Sequence, residues 1–217
     1  PRSGFSGMNN ALSLDHFNHV WRPGPPGSPT LLMLHGTGGN EESLVEVGQT
    51  LAPGAGVLSP RGQVLENGSP RFFRRFAEGL LDLDDLRARV HELADWLAIA
   101  GSQYEFSPES LVAVGYSNGA NVASSLLILR PESICAFAAW RPMAPLEVPP
   151  GTDLQGKSAL LISGEIDPIC SPTDGATLRD RLVAQGADAQ FLQLEGVGHA
   201  LSRADVRLTS DWLLSLA

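Results

Sequence analysis

The sequence predicts an α/β fold, a mainly parallel sheet with helices on both faces. Three observations carry this. From Thr30 onward, short apolar runs alternate with segments of helical period, which is how a parallel sheet covered on both sides reads. The clearest helix falls between the second and third of those runs. A chain of 217 residues lies within the range of one domain, and it shows no internal repeat, low-complexity tract or linker. We therefore read 1–217 as a single domain, with residues 1–29 as an N-terminal tail and short edge strand and the core from residue 30.

Taken in order, segment 18–29 ("NHVWRPGPPGSP") is too proline-rich for regular structure in its middle, and Val20-Trp21 reads as a short antiparallel strand before it. Strand candidates follow at 30–34 ("TLLML"), 56–60 ("GVLSP"), 111–115 ("LVAVG"), 134–140 ("ICAFAAW"), 158–163 ("SALLIS") and 189–194 ("AQFLQL"). In "DLDDLRARVHELADWLAIA", Leu83, Leu86, Val90, Leu93 and Leu97 step by three and four and form one apolar stripe. Further helices are expected from Asn118 to Leu129, from Pro172 to Gln185 and from Ser202 to the C-terminus.

Composition narrows the function. The formal net charge of -9 repels phosphate backbones and anionic lipid, which argues against nucleic-acid and membrane partners. No apolar run approaches the roughly 18 residues of a membrane span. Cys135 and Cys170 belong to no metal-ligand spacing, so neither a disulfide scaffold nor a zinc site is expected and a reducing, cytoplasmic setting is. The first residues, "PRSGFSGMNNALS", carry no hydrophobic signal core. They also do not begin with Met; Met8 is a candidate natural start, and a processed precursor would look the same.

The chemistry concentrates at "LVAVGYSNGANVA" (111–123), where a strand runs into Gly115-Tyr116-Ser117-Asn118-Gly119 and a helix follows. Glycine is common here (23 residues), so G-x-S-x-G alone is weak evidence. The strand-to-helix context strengthens it, because a nucleophile elbow turns so tightly that side chains two residues either side of the serine would clash. The bland alternative is a serine that caps the helix. A serine nucleophile needs a base. Among five histidines, His91 sits in the amphipathic helix and His16 and His19 in the N-terminal tail, whereas His199 follows the last strand in a glycine loop. The third member is Asp167, directly after strand 158–163, with Glu165 beside it. Asp174 is the alternative, at a helix N-terminus where an acid has an ordinary reason to be. The order Ser117, Asp167, His199 is that of the α/β-hydrolase arrangement.

An oxyanion hole is expected from the glycine-rich stretch His35-Gly36-Thr37-Gly38-Gly39 and the elbow, with the backbone N–H groups of Thr37 and Asn118 as donors. The stretch matches neither G-x-x-x-x-G-K-[ST] nor G-x-G-x-x-G, which disfavours nucleotide binding. His35 is read as structural. Phe72, Phe73 and Phe76, interleaved with Arg71, Arg74 and Arg75, and "WRPMAPLE" with Arg141 and Met143 are candidates for the pocket. An apolar wall with one or two guanidiniums would suit a small aromatic or acyl group bearing a carboxylate. Equally, those arginines would pair with surface acids. Cys170 is read as a small packed hydrophobe. The short, proline-rich interval 139–158 leaves no room for a large lid, so an open pocket and short substrates are expected.

Together "LLMLHGTGGNEES", "VLSPRG", "VGYSNGANVA", "SGEIDPIC" and "GVGHALS" resemble the phospholipase/carboxylesterase family, bacterial relatives of acyl-protein thioesterases. The resemblance covers the chain from about Thr30 onward. It implies a lidless α/β-hydrolase domain and cofactor-independent, metal-free cleavage of carboxylic or thio esters, with Ser117 as nucleophile, Asp167 as acid, His199 as base and Thr37 and Asn118 as oxyanion donors. Thioesterase members carry a Trp-Phe-Asp or Trp-Tyr-Asp element where this chain reads "SPRFFRRFAEG". That departure resembles a bacterial subgroup described as hydroquinone-induced or aromatic-catabolism-associated hydrolases, and it weakens an expectation of acyl-protein or lysophospholipid substrates. A noncatalytic ligand-binding hydrolase fold is the rival, though such binders commonly lose a triad member. A dehalogenase would want Asp at the elbow. A homodimer through an exposed apolar face is left open.

Overall fold

The computed structural model describes residues 12–216; the candidate start at Met8 and the residues before it lie outside them. In chain order the elements are β1 (His19–Arg22), β2 (Thr30–Leu34), α1 (Val45–Leu51), β3 (Gly56–Pro60), β4 (Val64–Glu66), β5 (Ser69–Arg71), β6 (Arg75–Ala77), β7 (Leu80–Leu81), α2 (Leu83–Tyr104), β8 (Leu111–Tyr116), α3 (Asn118–Leu129), β9 (Ala136–Trp140), β10 (Ser158–Gly164), α4 (Pro172–Val183), β11 (Asp188–Leu194) and α5 (Arg203–Ser215). Seven strands form one sheet in the order β1-β3-β2-β8-β9-β10-β11. All neighbours run parallel except β1, which pairs antiparallel with β3, His19 opposite Pro60. This is the fold of the α/β-hydrolases.

Alternation along the strands builds two separate cores, because successive side chains leave opposite faces of a sheet. Leu32 and Leu34 of β2 join Leu86, Val90, Leu93 and Leu97 of α2, Val122 of α3 and Leu178 of α4 on one face. Leu31 and Met33 join Leu51 of α1, Val112 and Val114 of β8 and Trp212 of α5 on the other. The stripe expected on α2 is therefore its buried face, except that Leu83, the first helical residue, is 40% exposed. Asp82 caps that helix by accepting from the Asp85 N–H at 3.1 Å. The helix also outruns its apolar pattern to Tyr104, closing with Glu105 in the left-handed region at φ 60°.

Elsewhere the ends shift by one or two residues: β9 begins at Ala136, not 134, and α4 ends at Val183, not 185. Residues 61–82, between β3 and α2, fold into two small hairpins, β4–β5 and β6–β7, which lie outside the main sheet. The first turns at Asn67-Gly68, both at positive φ (52° and 82°), the Asn-Gly pair that tight hairpins favour. Among the described residues no helix is long and apolar enough to cross a membrane.

Candidate active site

β8 delivers Ser117 at the carboxyl edge of the sheet, where open α/β sheets present their ligand sites. Ser117 sits at φ 52°, ψ −110°, a strained conformation for a residue with a side chain. The turn is as tight as the flanking glycines imply. A Cβ at Gly115 would come 2.3 Å from the Gly119 carbonyl oxygen, and one at Gly119 would come 2.1 Å from that of Leu34. The Ser117 N–H donates to Trp140 O at 2.9 Å, which ties the elbow to the neighbouring strand β9.

Ser117, Asp167 and His199 meet. His199 Nε2 lies 3.0 Å from Ser117 Oγ, and His199 Nδ1 lies 2.8 Å from Asp167 Oδ2. An ionised carboxylate can only accept, so the ring carries its proton on Nδ1 and leaves Nε2 to accept from the serine hydroxyl. The Asp167 side chain is fully buried. Burial pushes its pKa up, but the N–H groups of Cys170 (3.0 Å) and Ile169 (2.8 Å) and the bond to His199 outweigh it and hold the carboxyl below its ordinary value. Of the other acids, Glu165 accepts from the Gly196 N–H at 2.8 Å, and Asp174 lies in the first turn of α4.

The Cys170 thiol is buried and pushed up to about 12, chiefly by burial. Donor atoms of Asp167, Cys170 and His199 lie within 4.8 Å of one another. As a metal centre the trio fits poorly: both Asp167 oxygens are already bonded and the sulfur stays protonated, whereas a metal ligand must be thiolate.

The loop bearing His199 is gripped from below. Arg141 donates from Nε to Gly198 O (2.8 Å) and from Nη2 to Ala200 O (3.0 Å), and Tyr116 Oη donates to His199 O (3.2 Å). Three consecutive carbonyls, 198 to 200, are thus held. The Arg141 guanidinium also forms a two-pronged pair with Asp205 at 2.8 and 2.9 Å, with both side chains fully buried. Asp205 in turn accepts from Ser202 N and Oγ, which closes a capping box at the start of α5.

This corrects the expectation that Arg141 lines a substrate pocket: it has no free donor face and braces the loop that carries His199. Arg74 is corrected too. Its guanidinium is exposed but engaged with Asp82 at 3.1 Å and Asp85 at 3.6 Å. Phe72 and Phe73 are 4% and 0% exposed and belong to the core, because the segment carrying them tucks under the elbow; Phe76, at 72%, is the exposed one. Met143 is half-buried and donates its backbone N–H to Asn121 Oδ1 at 2.9 Å.

On the opposite side of Ser117 stands the glycine loop after β2. His35 is buried, donates from Nδ1 to Gly36 O at 2.7 Å and accepts at Nε2 from the Gly62 N–H at 3.0 Å. Burial lowers its pKa, so it is a neutral structural ring, packed against Phe72 at 4.6 Å between centroids. Thr37 is exposed, and its Oγ1 accepts from Arg71 Nη1 at 2.6 Å. Asn118 Oδ1 accepts from the Phe72 N–H at 2.8 Å. Cavities of about 570 Å³ (Leu31, Leu51, Val112, Cys135, Leu213) and about 400 Å³ (Leu97, Phe106, Leu111) lie away from Ser117, the first at the amino ends of the strands.

Comparison with known proteins agrees with this architecture. The chain is 37% identical to MhqD of Bacillus subtilis, a protein named as a hydrolase, over 89% of this chain and 96% of that one. It is 24% identical to the esterase YpfH of Escherichia coli over 92% and 87%. The crystal structure of a Bacillus cereus carboxylesterase superposes with a TM-score of 0.89 at 39% identity, covering 96% of each chain. No protein-family model matches. The chain belongs to the phospholipase/carboxylesterase-type α/β-hydrolases. Within that class it is an esterase-type hydrolase.

Proposed function

We propose that the chain is a serine hydrolase that cleaves small carboxylic esters or thioesters through an acyl-enzyme on Ser117. The observation that carries the reading is the hydrogen-bonded line Ser117 Oγ, His199 Nε2, His199 Nδ1, Asp167 Oδ2, with links of 3.0 and 2.8 Å. Ser117 Oγ attacks the substrate carbonyl carbon while its proton passes to His199 Nε2. Asp167, already ionised, stabilises the imidazolium so formed. The oxyanion collects charge facing the N–H groups of Thr37 and Asn118, the latter at the N-terminus of α3, where unpaired amides favour an anion. Collapse of the tetrahedral species expels the alcohol or thiol, which takes the proton from His199. Water, deprotonated by the same nitrogen, then attacks the acyl-serine; as the second tetrahedral species collapses, Ser117 Oγ leaves, takes the proton back from His199 and the acid is released. Every proton in this cycle is carried by serine, histidine or water, so no cofactor is required.

Because Arg74 and Arg141 are occupied, the reading gives no special place to a carboxylate on the substrate. Two cysteines without a disulfide support a cytoplasmic setting. The test is hydrolysis of p-nitrophenyl acetate, butyrate and octanoate by wild type and Ser117→Ala. Wild-type turnover that falls at least roughly 10⁴-fold in the variant is expected. Undiminished turnover in Ser117→Ala would overturn the assignment. A folded wild type that turns over no ester would favour a ligand-binding role.

A further inference from the structure

The two oxyanion donors are far apart in sequence, yet their side chains are anchored to one short segment, residues 70–73. Arg71 Nη1 donates to Thr37 Oγ1 at 2.6 Å, and the Phe72 N–H donates to Asn118 Oδ1 at 2.8 Å. The Gly38 N–H donates to Pro70 O at 2.9 Å, which fastens the glycine loop to the same segment. That loop needs fastening: Gly38 is at φ 82°, a region glycine enters freely, and Thr37 beside it is exposed.

Arg71 itself is 3% exposed. Its Nε donates to Phe73 O at 3.2 Å, Nη1 lies 3.2 Å from Glu66, and the guanidinium stands 5.8 Å from the centre of the Phe73 ring. Burying a guanidinium costs free energy that an aliphatic side chain of similar length avoids, so its retention asks for a reason beyond packing. The rigid fork of an arginine can hold Phe73 O and Thr37 Oγ1 at a set separation, which the single ammonium of lysine cannot.

We propose that Arg71 is a positioning residue for the reaction, which holds Thr37 through its hydroxyl so that the Thr37 N–H points at the developing oxyanion. The proposal rests on the acyl-enzyme reading above. Arg71 touches no reacting atom; it acts through Thr37, and segment 70–73 is the common template for both donors. Losing an oxyanion donor costs a hundred- to thousandfold, and a misplaced donor costs part of that.

The experiment is steady-state hydrolysis of p-nitrophenyl butyrate by wild type, Arg71→Met, Thr37→Val, the double variant and Ser117→Ala, with thermal melts alongside. Thr37→Val keeps the backbone N–H and the side-chain shape and removes only the acceptor of the Arg71 bond. The expected result is a kcat lowered about ten- to a hundredfold in each single variant, with KM within about twofold. The double variant should be no slower than the worse single one, because both remove the same link. A purely structural Arg71 would lower melting temperature without this coupling. Should Arg71→Met fail to fold, Thr37→Val decides alone, since it sits on an exposed loop. Wild-type kcat in Thr37→Val, or losses that multiply in the double variant, would overturn the inference. Turnover that survives in Ser117→Ala would instead sink the acyl-enzyme reading and this inference with it, so the two failures are told apart.

Discussion

The two sides of Ser117 are each organised by a buried arginine, but in opposite ways. On the side of His199, Arg141 and Asp205 are both fully buried and both prongs of the fork are used. The remaining donors go to Gly198 O, Ala200 O and, at 3.4 Å, Ile162 O. The loop carrying His199 is thereby welded to β9, β10 and α5. On the side of the glycine loop, Arg71 is buried but its charge partner Glu66 is one-third exposed, shared with Arg75 at 3.0 Å, and stands on a small hairpin outside the sheet. A welded loop fixes the angle His199 makes with Asp167 and Ser117. The glycine loop, with Thr37 exposed, hangs on Arg71 and through it on Glu66 of a small hairpin outside the sheet, so it belongs to the less stable end of the molecule.

Cutting each charge pair should expose that difference. Asp205→Asn leaves Arg141 as an unpaired buried charge and is expected to cost about 3–5 kcal/mol in urea unfolding. Glu66→Gln, the same cut at Arg71, is expected to cost less, about 1–2 kcal/mol, because the carboxylate it removes is one-third exposed and the amide oxygen can still accept. Equal costs would break the contrast between a welded and a hung side.

A smaller effect concerns acid. Asp167 is held below its ordinary value, so the unfolded chain binds its proton more readily than the folded one does. Its contribution is therefore present above the ordinary carboxylate range, about pH 4, and is lost as pH falls through the lower folded value. The urea midpoint of wild type should decline in that acid window, and Asp167→Asn should decline less. Parallel curves for the two proteins would contradict this electrostatic picture of the base side.

Legibility in the sequence followed the range of the interactions. The elbow is a local device: Gly115 and Gly119 flank Ser117 by two residues, so the geometry is written in five consecutive positions. Asp167 and His199 were placed by their strand ends and chain order, and they meet Ser117 as that order implies. Sequence leaves Arg141 open between substrate and an acidic partner, because that partner, Asp205, stands 64 positions away in the chain and no periodicity links them. Phe72 and Phe73 lie in the core and not in a pocket wall, a difference the sequence hides because a segment without helical or strand period gives no sign of which way it faces. The Asn67-Gly68 turn is a hairpin signal that stands in the sequence itself. The short helix α1, seven residues with Gly48 in its middle packed on Met33, carries too little apolar period to be read from sequence.

The most direct test of the central claim is covalent trapping. Wild type incubated with diethyl p-nitrophenyl phosphate and then mapped by peptide mass should carry one diethylphosphoryl group per chain, on Ser117. The nitrophenolate released should match the adduct in amount, and His199→Ala should label far more slowly. That result would place the nucleophile at the elbow and its base across from it. An adduct on another residue, or ester turnover that persists after Ser117 is fully blocked, would contradict the account.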